Sequence, residues 1–210
     1  MTDTTGSSDN QISFLHEIFR KTTHMGALVM PCGYYLLQLT KSEMLTIMIP
    51  AALIMLVIDI SRLRQWRFWT SFAKKIGGSI IRQHEIDGDF TGASYILIST
   101  CLTVALFDKP IAIAAVVYII VGDTFAALIG RRFGKIKFYK SKTIEGSLGC
   151  LAACLAASIL LPDIGFWVAT VGAVVATVIE AFPLNVDDNI SVPLVSGLAM
   201  TLTDRVLIFL

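Results

Sequence analysis

The sequence predicts an all-α, polytopic integral membrane protein with about seven transmembrane helices plus interfacial amphipathic helices. Three observations carry this expectation. Of 210 residues, 55% are hydrophobic and only 16% charged, against about a quarter charged in a soluble domain. Apolar runs of near-membrane length recur along the chain, separated by short polar turns. The basic residues gather in alternate connections. The length leaves room for one compact unit. Residues 1–11 are expected to be a disordered tail and 12–210 a single transmembrane helical domain. The tail carries no basic residue before the first apolar stretch, so it does not read as a signal peptide.

Taken in order, Ile12, Leu15, Ile18 and Phe19 recur at helical spacing opposite His16, Glu17, Arg20 and Lys21, which predicts an amphipathic helix lying on the membrane. Spans are expected at Met25–Leu39 and Met44–Ile60. The stretch Ser61–Phe90 interleaves Arg62, Arg64, Arg67, Lys74, Lys75 and Arg82 with Leu63, Trp66, Phe68, Trp69, Phe72 and Ile76, a composition suited to the headgroup layer. Further spans are expected at Ala93–Phe107, Ile111–Gly130, Ser147–Leu161, Phe166–Phe182 and Val192–Leu210, with ends reaching into the polar flanks. Cys32, Cys101, Cys150 and Cys154 all lie in apolar runs without a completing His, so they read as small buried hydrophobes rather than a disulfide framework or a metal site.

Charge orients the spans. With the N-terminus in the cytoplasm, fourteen Lys and Arg face that side, against Lys41 and Lys109 on the other. Every polar cluster then falls on the cytoplasmic face. That one-sidedness suits an enzyme using a soluble nucleotide; a transporter would show midplane polar groups and an internal repeat.

The chain is organised around VGDTFAALIGRRFGKIKFYKSKTIEGSLG, from Val121 to Gly149. A carboxylate within a membrane-length run is costly and marks a site, so Asp123 is the first candidate; a structural intramembrane ion pair is the competing reading. Gly122, Ala126 and Gly130 make a small-residue stripe that lets a helix or a ligand approach closely. The loop from Gly130 to Gly149 brings Arg131, Arg132, Lys135, Lys137, Lys140 and Lys142. It lacks Walker A spacing. A patch for anionic lipid explains Lys135 and Lys137. It does not explain Lys142-Thr143-Ile144-Glu145-Gly146-Ser147, where backbone N–H groups at a helix start can bind phosphate. Elsewhere, Glu180 and Asp187-Asp188-Asn189 offer hard oxygen ligands, or else a solvated loop. Asp59 with Arg62 reads as a local ion pair. Arg20, Lys21 and His24 read as an entry flank or a plain positive-inside segment.

Gly122, Asp123, Ala126, Gly130 and Gly134, followed by Lys142, Thr143, Glu145, Gly146 and Ser147, resemble the CTP-dependent lipid kinases: dolichol, diacylglycerol and phytol kinases. Arg20, Lys21 and His24 are similar to that family's N-terminal Arg-Lys-x-x-His. Asp187, Asp188, Asn189 and Pro193 are similar to its acid-acid-Asn segment. The resemblance spans about residues 17–197 and does not distinguish the lipid. The phosphatidate cytidylyltransferases, which also use CTP in a membrane, have a Gly-His-Gly-Gly signature that is absent here.

The resemblance implies that 12–210 is catalytic, transferring the terminal phosphoryl group of a nucleoside triphosphate, CTP or else ATP, to the hydroxyl of a lipid alcohol with Mg²⁺. Asp123, Asp187 or Asp188 would hold the metal or orient the hydroxyl, with Glu180 a further metal ligand. Lys142, Arg131 and Arg132 would clamp phosphates. Glu145 would touch the base or ribose, or orient Lys142. Arg20, Lys21 and His24 would flank the triphosphate, and Gly122, Ala126, Gly130, Gly134, Thr143, Gly146, Ser147 and Asn189 would line its site. The expected partners are the nucleotide, the lipid alcohol and membrane lipids, with a homodimer left open and nucleic acid not expected. The expected setting is a prokaryotic cytoplasmic membrane with the site facing the cytoplasm. The alternatives are a cytidylyltransferase and a non-enzymatic transporter or lipid-binding protein.

Overall fold

The structure, a computed structural model, describes residues 21–64, 90–139, 142–161, 163–182 and 186–208. The tail, the amphipathic helix before Lys21, Arg20 and the tryptophan-rich stretch after Arg64 lie outside the described residues. Within them are helices α1 (Val29–Leu36), α2 (Lys41–Leu63), α3 (Gly92–Leu106), α4 (Lys109–Phe133), α5 (Ile144–Leu160), α6 (Phe166–Ala181) and α7 (Asp188–Ile208). Strands β1 (Lys137–Tyr139) and β2 (Lys142–Thr143) join α4 to α5. The protein is an all-α membrane protein. Three helices, α2, α4 and α7, are long and apolar enough to cross a membrane; α3, α5 and α6 are shorter apolar helices of 15, 17 and 16 residues.

Local chemistry sets the helix starts. At α2, Thr40 Oγ1 accepts from the Glu43 N–H at 3.3 Å while Glu43 Oε2 accepts from the Thr40 N–H at 2.8 Å, a complete capping box. Thr91 and Thr143 cap α3 and α5 in the same sense, each accepting from the backbone N–H three residues on. Pro110 sits in the first turn of α4, where a missing N–H costs nothing.

Helix α4 is the axis of the bundle. Ile111–Ile120 is buried without a break, as expected of a helix apolar on all sides. It packs against α1, α3, α5, α6 and α7, and α2 packs outside on α3. The outward side chains, including Leu53, Ile54 and Val57 of α2, Ile159 and Leu160 of α5, and Leu198, Leu202 and Val206 of α7, are exposed apolar groups, as the surface of a membrane bundle requires. Cys150 and Cys154 are buried, whereas Cys32 is exposed on α1.

Three expectations need correction. The first span is not continuous: residues 21–26 are helical, 27–28 form a turn, and α1 has only eight residues. Pro31 falls in the first turn of the new helix, where its lacking N–H is tolerated. Gln38, at φ 50°, turns the chain after it. Second, the Gly130–Gly149 stretch is not a loop between spans. Helix α4 continues to Phe133, an antiparallel hairpin follows, and α5 already begins at Ile144. Third, α7 begins at Asp188 rather than Val192, because Asp187 caps it.

Candidate active site

The site is built at one end of the bundle from the segment around Lys21, the second half of α4, the hairpin, and the facing ends of α6 and α7. The register of α4 places Asp123 about 15 Å of helix rise before Phe133, with its side chain 19% exposed. Lys21, which is fully buried, bonds Asp123 Oδ2 through Nζ, and His24 Nε2 lies 3.5 Å from the same oxygen. A buried ammonium of this kind requires a carboxylate partner.

The second centre is Lys142 in β2. Its ammonium bonds Glu180 Oε1 and lies 3.6 Å from Asp188 Oδ2. Burial pushes the Lys142 pKa down, but Glu180, Asp188 and Asp123 outweigh it and hold the pKa above the ordinary lysine value. Lys142 is therefore a full cation at neutral pH, facing three of the predicted carboxylates. Glu180 arrives on the buried face of α6, two turns past Ala173, and is 3% exposed.

Close backbone packing fixes these elements. The small-residue stripe on α4 meets α5: a Cβ on Gly122 would stand 2.8 Å from Cys150 Sγ and one on Gly146 2.8 Å from the Ala126 carbonyl oxygen. A Cβ on Gly134 would stand 2.1 Å from the Gly130 carbonyl oxygen and 2.7 Å from Thr143 Cγ2. Gly122, Ala126, Gly130, Gly134 and Gly146 thus set how near α4, α5 and the hairpin come. The Gly146 N–H donates to Thr143 Oγ1 at 3.1 Å, which corrects the expectation of a free phosphate-binding amide there.

The remaining predicted residues divide as follows. Asp187 Oδ1 accepts from the Asn189 backbone N–H at 2.9 Å and from Asn189 Nδ2 at 2.7 Å, so both residues form the start of α7. Glu145 Oε2 accepts from the Ile136 N–H at 3.3 Å and ties α5 to the turn before β1. Arg131 and Arg132 are exposed on the last turn of α4, with Arg132 over the Phe133 ring. Asp59 lies 3.4 Å from Arg62, and its Oδ2 also accepts from the Thr91 N–H, Thr91 Oγ1 and Ser94 Oγ, so it fastens α2 to the start of α3.

Mg²⁺ can be weighed against these groups. Among the described residues, no three His, Cys, Asp or Glu side chains converge on one ion position. Mg²⁺ beside a nucleotide takes only one or two carboxylates and fills the rest of its shell with phosphate oxygens and water. Glu180 Oε2 and Asp188 Oδ1 are buried without a hydrogen-bond partner, and so is Ser147 Oγ. Two hard anionic oxygens lacking partners beside a lysine fit that donor set.

No protein-family model and no solved structure matches the chain. Relatives among characterised and uncharacterised proteins do, and three show the range. The chain is 29% identical over 197 residues to an uncharacterised protein of Rickettsia prowazekii, covering 90% of this chain and 95% of the relative. It is 27% identical over 213 residues to the CTP-dependent diacylglycerol kinase 1 of Schizosaccharomyces pombe, covering 90% and 94%. Against the probable phytol kinase of Triticum aestivum it is 32% identical over 139 residues, covering 57% of this chain and 46% of that longer protein. Joined to a lysine–carboxylate site at one end of an apolar bundle, these likenesses support a kinship with the CTP-dependent lipid kinases, whose CTP-dependent diacylglycerol kinases and phytol kinases the chain is similar to.

Proposed function

We propose that the protein transfers the terminal phosphoryl group of CTP to the hydroxyl of a membrane lipid alcohol, a polyprenol, phytol or diacylglycerol, at the cytoplasmic face of the membrane. The observation that carries this reading is the pairing of Lys142 with Glu180 and Asp188 beside Asp123. Phosphoryl transfer asks mostly for positioning and charge neutralisation, and this cluster offers both signs of charge.

Asp123 is the group that takes the hydroxyl proton or orients it. Lys21 bonds it and His24 stands beside the same oxygen. Lys142 leaves its carboxylates for the phosphate oxygens when the triphosphate enters. Glu180 and Asp188 would hold Mg²⁺, which supplies charge neutralisation on the polyphosphate. Ser147 Oγ, buried and unpartnered, is a donor for a phosphate oxygen. The lipid chain would lie between the spans.

The test is a panel of lipid alcohols presented to the purified protein with CTP, ATP and Mg²⁺ titrated separately. Phosphorylation of one alcohol class by CTP supports the reading; ATP preference would change the donor, and no transfer to any alcohol would remove the kinase. Orientation is tested by cysteines placed at Lys109 and Lys137, which should label from opposite sides of the membrane.

A further inference from the structure

We infer that the β1–β2 hairpin is a seat for anionic lipid headgroups, separate from the nucleotide site. From Phe133 to Tyr139 the chain alternates large apolar and cationic side chains: Phe133, Lys135, Ile136, Lys137, Phe138 and Tyr139. All six are exposed, Phe133 and Ile136 by more than half. On a water-facing hairpin that much apolar surface would be an unexplained liability. In the headgroup layer it is expected, because aromatic and aliphatic side chains enter the interface while ammonium groups meet phosphate.

The placement agrees. The hairpin hangs directly from the lipid-crossing helix α4, and Phe138 and Tyr139 rest on Phe182 at the end of α6, with ring centroids 5.3 and 6.4 Å apart. Among the described residues Lys135 and Lys137 stand in no ion pair, and only Glu145 lies near them, its carboxylate held below the usual range by backbone N–H groups, its own first, and by the Lys135 charge; Lys21 by contrast is buried against Asp123 and Lys142 bonds Glu180. The charge on this surface is therefore available to an outside partner, and its sign selects an anionic one. Tyr139 pairs with Lys142 across the hairpin, so the strand seated on the lipid is joined to the strand that carries the site's lysine.

The full-length protein is reconstituted in phosphatidylcholine bilayers, and its selectivity for spin-labelled phosphatidylglycerol over spin-labelled phosphatidylcholine is measured by electron paramagnetic resonance. The wild type should prefer the anionic lipid. Lys135→Gln/Lys137→Gln should lower the relative association constant several-fold, with roughly fivefold per charge as the ceiling. Lys135→Arg/Lys137→Arg should retain the preference, and high salt should shrink it in both. The nucleotide KM in detergent should stay unchanged in the Gln pair, which also shows that the variant folds. An anionic-lipid selectivity unchanged in the Gln pair overturns the inference. So does a rise in nucleotide KM as large as the loss in lipid selectivity, which would make the hairpin part of a diffuse phosphate-binding surface.

Discussion

Replacing Lys142 with methionine tests the charge logic of the site most sharply. Methionine keeps much of the volume and removes the ammonium, leaving Glu180 and Asp188 facing each other without their shared cation. The Glu180 side chain is only 4% exposed, whereas Lys142 and Asp188 are 23% and 28% exposed. Breaking a buried pair by removing one partner costs about 3–5 kcal/mol, and the partial exposure of two of these three groups argues for the lower end. For a chain of this length each kcal/mol moves the melting temperature by roughly 2–4 °C, so Lys142→Met should melt about 6–12 °C below the wild type. The assay is thermal unfolding in detergent with a thiol-reactive dye, for which the buried Cys150 and Cys154 are built-in reporters. Lys142→Met/Glu180→Gln should recover more than half of the loss. The pH dependence has a definite sign. The Lys142 pKa is held above the ordinary lysine value, so the wild-type contribution is complete below that value and is lost only as pH rises through the folded pKa. Burial already raises the Asp188 carboxyl in the wild type and Lys142 opposes it; without the lysine Asp188 takes up its proton more readily, so the stability of Lys142→Met should rise more as pH falls from neutrality than that of the wild type. Equal melting temperatures and equal pH slopes in the two proteins would refute the pairing.

Asp123→Asn should lower turnover by at least about 10²-fold, the scale of one well-placed electrostatic or acid–base group. It should also destabilise the protein, because the buried Lys21 loses its partner; Lys21→Met/Asp123→Asn should restore the melting temperature without restoring turnover, and full activity in the single variant would sink the assignment. Gly134→Ala should cost about 1–3 kcal/mol by thermal unfolding and reduce kcat, since its Cβ would strike the Gly130 carbonyl and Thr143, while Gly33→Ala, with nothing within 4 Å, should melt at or near the wild-type temperature. Asp187→Ala should cost about 0.5–2 kcal/mol as a lost cap and leave the Mg²⁺ requirement nearly unchanged, whereas Asp188→Asn should raise the Mg²⁺ concentration for half-maximal rate; the reverse pattern would exchange their roles.

The helical membrane fold was legible because its causes are local and repeated: apolar runs of near-membrane length separated by short polar turns recur along the chain. The residues of the candidate site could also be singled out one at a time, since acids and glycines inside apolar runs are costly without a purpose. Their partnerships were not. Nothing at Lys21 indicates Asp123, 102 residues away, and nothing at Lys142 selects Glu180 over the other acids. The general signal existed: a lysine drawn into a buried end must meet a carboxylate. The glycine stripe was visible, but a sequence cannot say whether a helix or a ligand approaches it; Cys150, Cys154 and Gly146 of α5 fill that space. The hairpin was not legible as such: Lys135, Ile136, Lys137 and Phe138 alternate with the period of a strand, but the run is only a few residues long and the glycines and bases around it have the composition of a loop. The break before α1 was missed because Pro31 lies inside an otherwise unbroken apolar run.

The central claim, phosphoryl rather than cytidylyl transfer, is tested most directly by the small product. The purified protein is incubated with CTP, Mg²⁺ and a lipid alcohol, and the soluble fraction is analysed by mass spectrometry. A kinase releases CDP in amounts equal to the phosphorylated lipid, with no pyrophosphate, and Lys142→Met should lose both products together. Pyrophosphate released with a cytidylyl-linked lipid, and no CDP, would contradict the account.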